Sequence, residues 1–272
     1  MMKKRRVLIF TFLALLLIVG LFTSLMVRAA HREQASLDLL SAIKDNDTSN
    51  ALAALKAGAD PNIHVHPDEK PLSVWEHMQQ IFGNLFHTKH EADTSPTVLL
   101  FALYQIKIEP ARQENPVIIK ALLDAGADPN TTGLSEQGSP LMWGATRRTP
   151  ESLRLLLSHG ANIHQKANDG FTPLHVAARL GNVETVQRLM DAGADIEAQD
   201  ARGMTPLLVA SSELNKETVE ALIHYQARVN VRDKGNHTPL DVAIAADNQD
   251  IIDLLRKAGA KTARELDAEV KH

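Results

Sequence analysis

Five of the twelve histidines fall in one stretch, NIHVHPDEKPLSVWEHMQQIFGNLFHTKHEAD from Asn62 to Asp93: His64, His66, His77, His87 and His90. Neutral imidazole is the commonest protein ligand for zinc and copper. His64 and His66, two apart on an extended segment, would point to one side, and His87 and His90 would supply further rings. No spacing here matches a strong zinc signature. The chain also lacks cysteine, which removes cysteine–zinc sites, disulfides and thiol catalysis together. The expectation is no metal and no cofactor; His64, His66, His87 and His90 are the candidate ligands for a metal-binding alternative.

Other reactive residue types are present without an arrangement that would use them. There is no glycine-rich phosphate loop, no H-E-x-x-H and no G-x-S-x-G. Asp60, Asp128 and Asp195 each follow a Gly-Ala pair, where a short carboxylate suits a turn better than a paired catalytic acid. No enzyme and no small-molecule substrate are expected. Residues 33–272 hold 23 basic against 33 acidic side chains, a net of −10. Such a balance excludes non-specific nucleic-acid binding, which needs positive charge to displace counterions.

The histidine-bearing stretch must be positioned by something, and it carries its own element. Ser73 and Glu76 form a capping box. Val74, Trp75, Met78, Ile81, Phe82, Leu85 and Phe86 then fall within an arc of roughly 140° at helical spacing. This predicts an amphipathic helix over about 73–87 whose apolar face needs a cover. Three covers are open: the edge of the neighbouring elements including Trp143, a partner protein, or a bilayer interface. The polar face has almost no Lys or Arg, which interfacial helices usually carry.

At the amino terminus four bases, Lys3 to Arg6, precede 21 uncharged residues from Val7 to Val27. About 20 helical residues cross a hydrocarbon core, whereas a secretory signal needs only about 7–15 apolar ones. Residues 1–32 are therefore expected to be a signal-anchor with a transmembrane helix over 7–27. Arg28 and Arg32 are outnumbered by the leading bases, so the amino terminus stays cytoplasmic and the remainder lies outside. A bacterial inner membrane and periplasm fit this leader; export after cleavage near Ala29 is the alternative.

The rest of the chain is repetitive. Thr172-Pro173-Leu174-His175-Val176-Ala177 recurs as Thr205-Pro206-Leu207-Leu208-Val209-Ala210 and as Thr238-Pro239-Leu240-Asp241-Val242-Ala243, at intervals of 33 residues. Ser139-Pro140-Leu141 lies 33 residues before the first, and Thr97-Val98-Leu99-Leu100-Phe101-Ala102 is a degenerate copy. Gly58-Ala59, Gly126-Ala127, Gly160-Ala161, Gly193-Ala194 and Gly259-Ala260 mark a second position, held by Gln226-Ala227 in one unit. Thr caps a helix, Pro suits its first turn, and Gly ends the second helix. A unit of two short helices cannot cover its own apolar face, so neighbours must stack.

A 33-residue period with T-P-L-H-x-A resembles the ankyrin repeat family. The resemblance implies an all-α solenoid of about six helix-turn-helix units with short β-hairpin fingers, here preceded by one transmembrane helix. The units run over 36–63, an atypical cap; then about 95–130, 138–163, 171–203, 204–236 and 237–260. An insertion occupies 64–94, and 261–272 form a polar cap opened by Thr262 and Glu265. The second unit is expanded by QIKIEPARQENP, read as a surface loop. His175 is implied to make a structural hydrogen bond. Partner binding is implied on the first helices and finger tips: Tyr104, Arg147, Asn168, Asp169, Phe171, Arg179, Leu180, Arg202, Met204, Ser212, Glu213, Lys234 and His237. The implied function is a non-catalytic module that binds a protein partner.

Overall fold

The structure, a computed structural model, describes residues 2–64, 97–100, 102–103, 115–132, 138–146 and 151–270, with side chains from Gly20 onward except Phe22. It divides into two compact units, Met1–Asp93 and Thr94–His272. Most of the insertion, including the expected helix over 73–87 with Val74, Trp75, Met78, Ile81, Phe82, Leu85 and Phe86, lies outside the described residues. So do His66, His87, His90 and the expanded loop over 105–114.

The first unit is a helical hairpin. Helix α1, Met2–Lys44, is 43 residues long and crosses without a break from the expected anchor into the first repeat. Between the two stands neither Gly nor Pro, and Ala35, Leu39, Ala42 and Ile43 supply a buried stripe at helical spacing. The stripe packs on α2, Thr48–Lys56. Asp47 caps α2 by accepting from Asn50 N at 3.1 Å. Asp60 N donates to the Ser36 hydroxyl at 2.9 Å and ties the hairpin's exit to its first helix. Among the residues with described side chains, no helix is long and apolar enough to cross a membrane. Side chains 7–19 and 22 of the expected span lie outside that set.

The second unit stacks helix pairs. Helix α3 is Pro116–Asp124, and the pairs that follow are α4, Pro140–Ala145, with α5, Glu151–Ser158; α6, Pro173–Arg179, with α7, Val183–Asp191; α8, Pro206–Ser212, with α9, Lys216–His224; and α10, Pro239–Ala245, with α11, Gln249–Lys257. First helices α4, α6, α8 and α10 pack in one row; among second helices α3 packs on α5, and α9 packs on both α7 and α11; and each pair packs internally. The reason is visible in two ladders of leucines. Leu141, Leu174, Leu207 and Leu240 recur every 33 residues, as do Leu123, Leu156, Leu189, Leu222 and Leu255, and all nine are buried. Each fully buried leucine is worth about 1.5–3 kcal/mol relative to exposure.

Polar bonds set the register of the stack. Thr172, Thr205 and Thr238 each accept from the backbone N–H three residues on. His175 is fully buried, with Nδ1 against Thr172 and Nε2 2.9 Å from the Met204 carbonyl of the next repeat. It is the structural residue that the resemblance implies. Asp241, its counterpart two repeats on, accepts from Thr238 N, the Thr238 hydroxyl and Ala263 N. Burial pushes its carboxyl up, but these bonds outweigh burial and hold it below the usual range. Leu208, between them, can make no such bond. The final helix α12, Ala263–Glu269, is held by ion pairs from Arg232 to Asp267, Arg256 to Glu265 and Lys261 to Glu269. The Arg256 guanidinium draws the Glu265 carboxyl down to about 2.

The connection after each second helix turns through a left-handed residue. Gly126, Gly160, Gly193 and Gly259 take φ of 83 to 94° there, and Gln226 takes 67°. Glutamine carries a Cβ into a region that L-residues avoid at a cost of about 1–2 kcal/mol, part of which glycine loses again to unfolded-chain entropy. Gln226→Gly is expected to raise the unfolding free energy by about 0.5–1 kcal/mol, read by urea titration; a lower midpoint would mean that the Gln226 side chain holds the turn.

Burial holds the His175 pKa below its ordinary value, against the opposing pull of its bond to the Met204 carbonyl. The unfolded chain therefore takes up a proton below about pH 6.5 that the folded chain refuses. The His175 contribution is complete above that pH and is lost on acidification. His175→Leu, copying Leu208, should be less stable at pH 7, and its melting temperature should fall less than the parent's between pH 7 and pH 5. Equal falls in the two proteins would assign the acid sensitivity elsewhere.

Candidate functional site

Between repeats the chain makes three tight fingers, at 167–171, 200–204 and 233–237. Each is closed by two backbone bonds: Ala167 N to Phe171 O with Gly170 N to Ala167 O, Asp200 N to Met204 O with Gly203 N to Asp200 O, and Asp233 N to His237 O with Asn236 N to Asp233 O, all 2.9–3.0 Å. No β-strand forms in these fingers; they are single turns where hairpins were expected. The segments are too short for a strand ladder, and carboxylates close them. Asp200 accepts from Arg202 N and Met204 N at 2.8 and 2.7 Å, and Asp233 accepts from His237 N at 2.8 Å. The first finger has Ala167 at that place, and Asp169 substitutes by accepting from Phe171 N at 3.0 Å.

Successive tips are joined: Ala201 N donates to Asp169 O at 2.8 Å and Lys234 N to Arg202 O at 2.9 Å. A Cβ on Gly170 would come within 2.7 Å of Ala201 N, so that glycine is demanded by the neighbouring finger. The Lys166 and Lys234 ammonium groups reach the Gln199 and Ala201 carbonyls. The fingers thus form a continuous rigid edge, with side chains standing outward from it.

The expected contact residues divide into two sets. Asn168, Asp169, Arg202, Lys234 and His237 are exposed on the fingers; Arg179, Leu180, Ser212 and Glu213 are exposed at the ends of α6 and α8. Phe171 and Met204 are buried, at 5% and 8% exposure. They are finger foundations: Phe171 stacks on His175 with centroids 5.2 Å apart and carries the Arg179 guanidinium 5.1 Å above its ring. Trp143, expected at an open edge, is buried within α4. Tyr104 and Arg147 lie outside the described residues. Arg202 pairs with the buried Asp200 at 3.1 Å and His237 with Asp233 at 3.2 Å.

Asp60, Asp128 and Asp195 are turn residues, each accepting the backbone N–H two residues on. The residue at the end of that turn does more. Asn130 bonds Gly160 O and Asn162 N, Glu197 accepts from Arg228 N, and Asn230 bonds Gly259 O and Lys261 N. The repeat pattern alone does not announce these staples; their signal is a polar residue four places after three of the markers, Gly126, Gly193 and Gln226. Among the described residues no group of three or more His, Asp or Glu could hold a metal ion.

No curated protein matches the chain. The family model for ankyrin repeats matches residues 109–200 and 193–265, which together take in the stacked helix pairs, the fingers and the staples. More than half of the sequence is thus accounted for, and the chain belongs to the ankyrin repeat family.

Proposed function

We propose that this chain is a non-catalytic protein-binding module, tethered to a membrane through residues 7–27 with its repeats on the extracytoplasmic side of a bacterial inner membrane. The observation that carries the binding half is the finger edge. Its backbone is closed by internal bonds, while Arg202, Lys234 and His237 stand exposed along it. A pre-ordered edge loses little conformational freedom on association. What supports the tether is α1: an unbroken helix from Met2 to Lys44 makes the apolar segment and the first repeat one element, and a cleavage near Ala29 would cut through its middle.

The binding half is tested by Arg202→Ser and Lys234→Ser together in the full chain, with Glu220→Ser on the opposite row of helices as control. Recovery of co-purifying protein from membranes is expected to fall at least about tenfold in the finger variant, as loss of central polar contacts usually does, and to be unchanged in the control. Equal recovery in all three would remove the fingers from the interface. For the tether, the intact chain should stay with the membrane pellet after alkaline carbonate washing. A mature protein whose first residue lies just past Ala29 would overturn the anchor in favour of export.

A further inference from the structure

One place in the stack departs from the repeat in three independent ways. The connection between first and second helices holds Gly181, Leu214 and Asp247 at corresponding positions, all in left-handed backbone with φ of 68, 61 and 52°. Glycine suits that region and aspartate tolerates it, but leucine is disfavoured there. Burial does not compensate, since Leu214 is 44% exposed, and Leu180 at the end of α6 is 50% exposed. Next, Asn182 and Asn248 cap their own helices, but Asn215 makes no such bond. Its amide donates instead to the Ala178 and Arg179 carbonyls at 3.0 and 2.9 Å, which pins the backbone that carries Arg179 and Leu180. Finally, Arg179 lies on Phe171 and makes no ion pair among the described residues. Its row of positions, with Thr146, Ser212 and Ala245, holds no other charge.

Strain in an exposed apolar residue, a diverted cap and a pre-positioned cation are costs or constraints that the stack itself does not require. Resting on the protein-binding reading above, the geometry points to Arg179, Leu180 and Leu214 as one contact patch for an amphipathic segment of a partner protein. An aliphatic side chain of that segment sits on the two leucines, and a carboxylate of the same segment meets Arg179. A guanidinium seated over a ring face has N–H edges that can take a carboxylate through two parallel bonds. Exposed Glu213 repels a second carboxylate and sets which end of the segment lies at Arg179.

The test places p-benzoylphenylalanine in the full chain at Leu180, at Lys234 on a finger, or at Glu220 on α9, and irradiates the source cells. Mass spectrometry then identifies the crosslinked peptide. The Leu180 probe should yield one product, in a segment with Asp or Glu within about four residues of an aliphatic side chain, one helical turn. Its yield should fall at least about tenfold with Arg179→Glu, as expected for truncating or reversing a bidentate pair. Leu214→Asn should lower the yield while leaving the melting temperature unchanged or higher, because asparagine accepts the left-handed backbone. Products at Lys234 but none at Leu180 would sink the patch and leave the binding reading standing; no product at either would sink both. A Leu180 product indifferent to Arg179→Glu, or one formed with lipid, a second copy or a segment without acids, would refute the assigned occupant. A lower melting temperature for Leu214→Asn would show that packing, not a partner, holds the leucine.

Discussion

Every helix pair in the second unit has an apolar face that it cannot cover alone. A helix of six to nine residues is too short to be stable by itself in water, and the pairs here are built from such lengths. Leu174 and Leu189 are buried in a stack in which α6 packs on α4 and α8, and α7 packs on α6 and α9. Stability therefore resides in the interfaces between repeats and in the repeats themselves as a sum of neighbour terms. A lesion in one leucine of the ladder weakens two interfaces at once.

Apolar stacking alone would leave the repeats free to slide, and directional bonds remove that freedom. His175 to Met204 O, Asn130 to the 160–162 turn, Glu197 to Arg228 N and Asn230 to the 259–261 turn each cross from one repeat to the next, over 29 to 32 residues. Such bonds contribute about 1 kcal/mol each when made and cost more when a buried partner is left alone. They also explain why the finger edge is continuous. Once the repeats are in register, Ala201 N and Lys234 N fall opposite the carbonyls they need, and the side chains between them inherit a fixed spacing.

The fold was legible because its signals are local and repeated. Thr-Pro-Leu at intervals of 33 residues announces a capped helix start, and the Gly-Ala pairs announce its return. The site was legible only in outline. Arg202, Lys234 and His237 are exposed where the repeat phase puts them. Phe171 and Met204 occupy equally prominent positions, yet each is covered by the chain around it, and burial depends on packing between repeats that one repeat's pattern does not contain. The fingers being turns rather than hairpins follows from carboxylates, Asp200 and Asp233, whose side chains satisfy the N–H groups a strand would have paired. The staples were missed for a related reason: Glu197 stands where Asn130 and Asn230 do, so the position carries no single residue type. The backbone strain at Leu214 has no residue-type signature, because leucine is ordinary everywhere except at a left-handed residue.

Helix α1 carries no glycine or proline between Leu21 and Lys44, and at about 1.5 Å per residue its 43 residues extend roughly 65 Å. Its far end is clamped to α2 by Ala35, Leu39, Ala42 and Ile43. A rod without a joint passes on torque as well as tension. Any tilt or axial rotation imposed on the apolar end reappears as the same angular displacement of the first hairpin, with no swivel to absorb it. The hairpin therefore reports the attitude of the rod, and not merely its location.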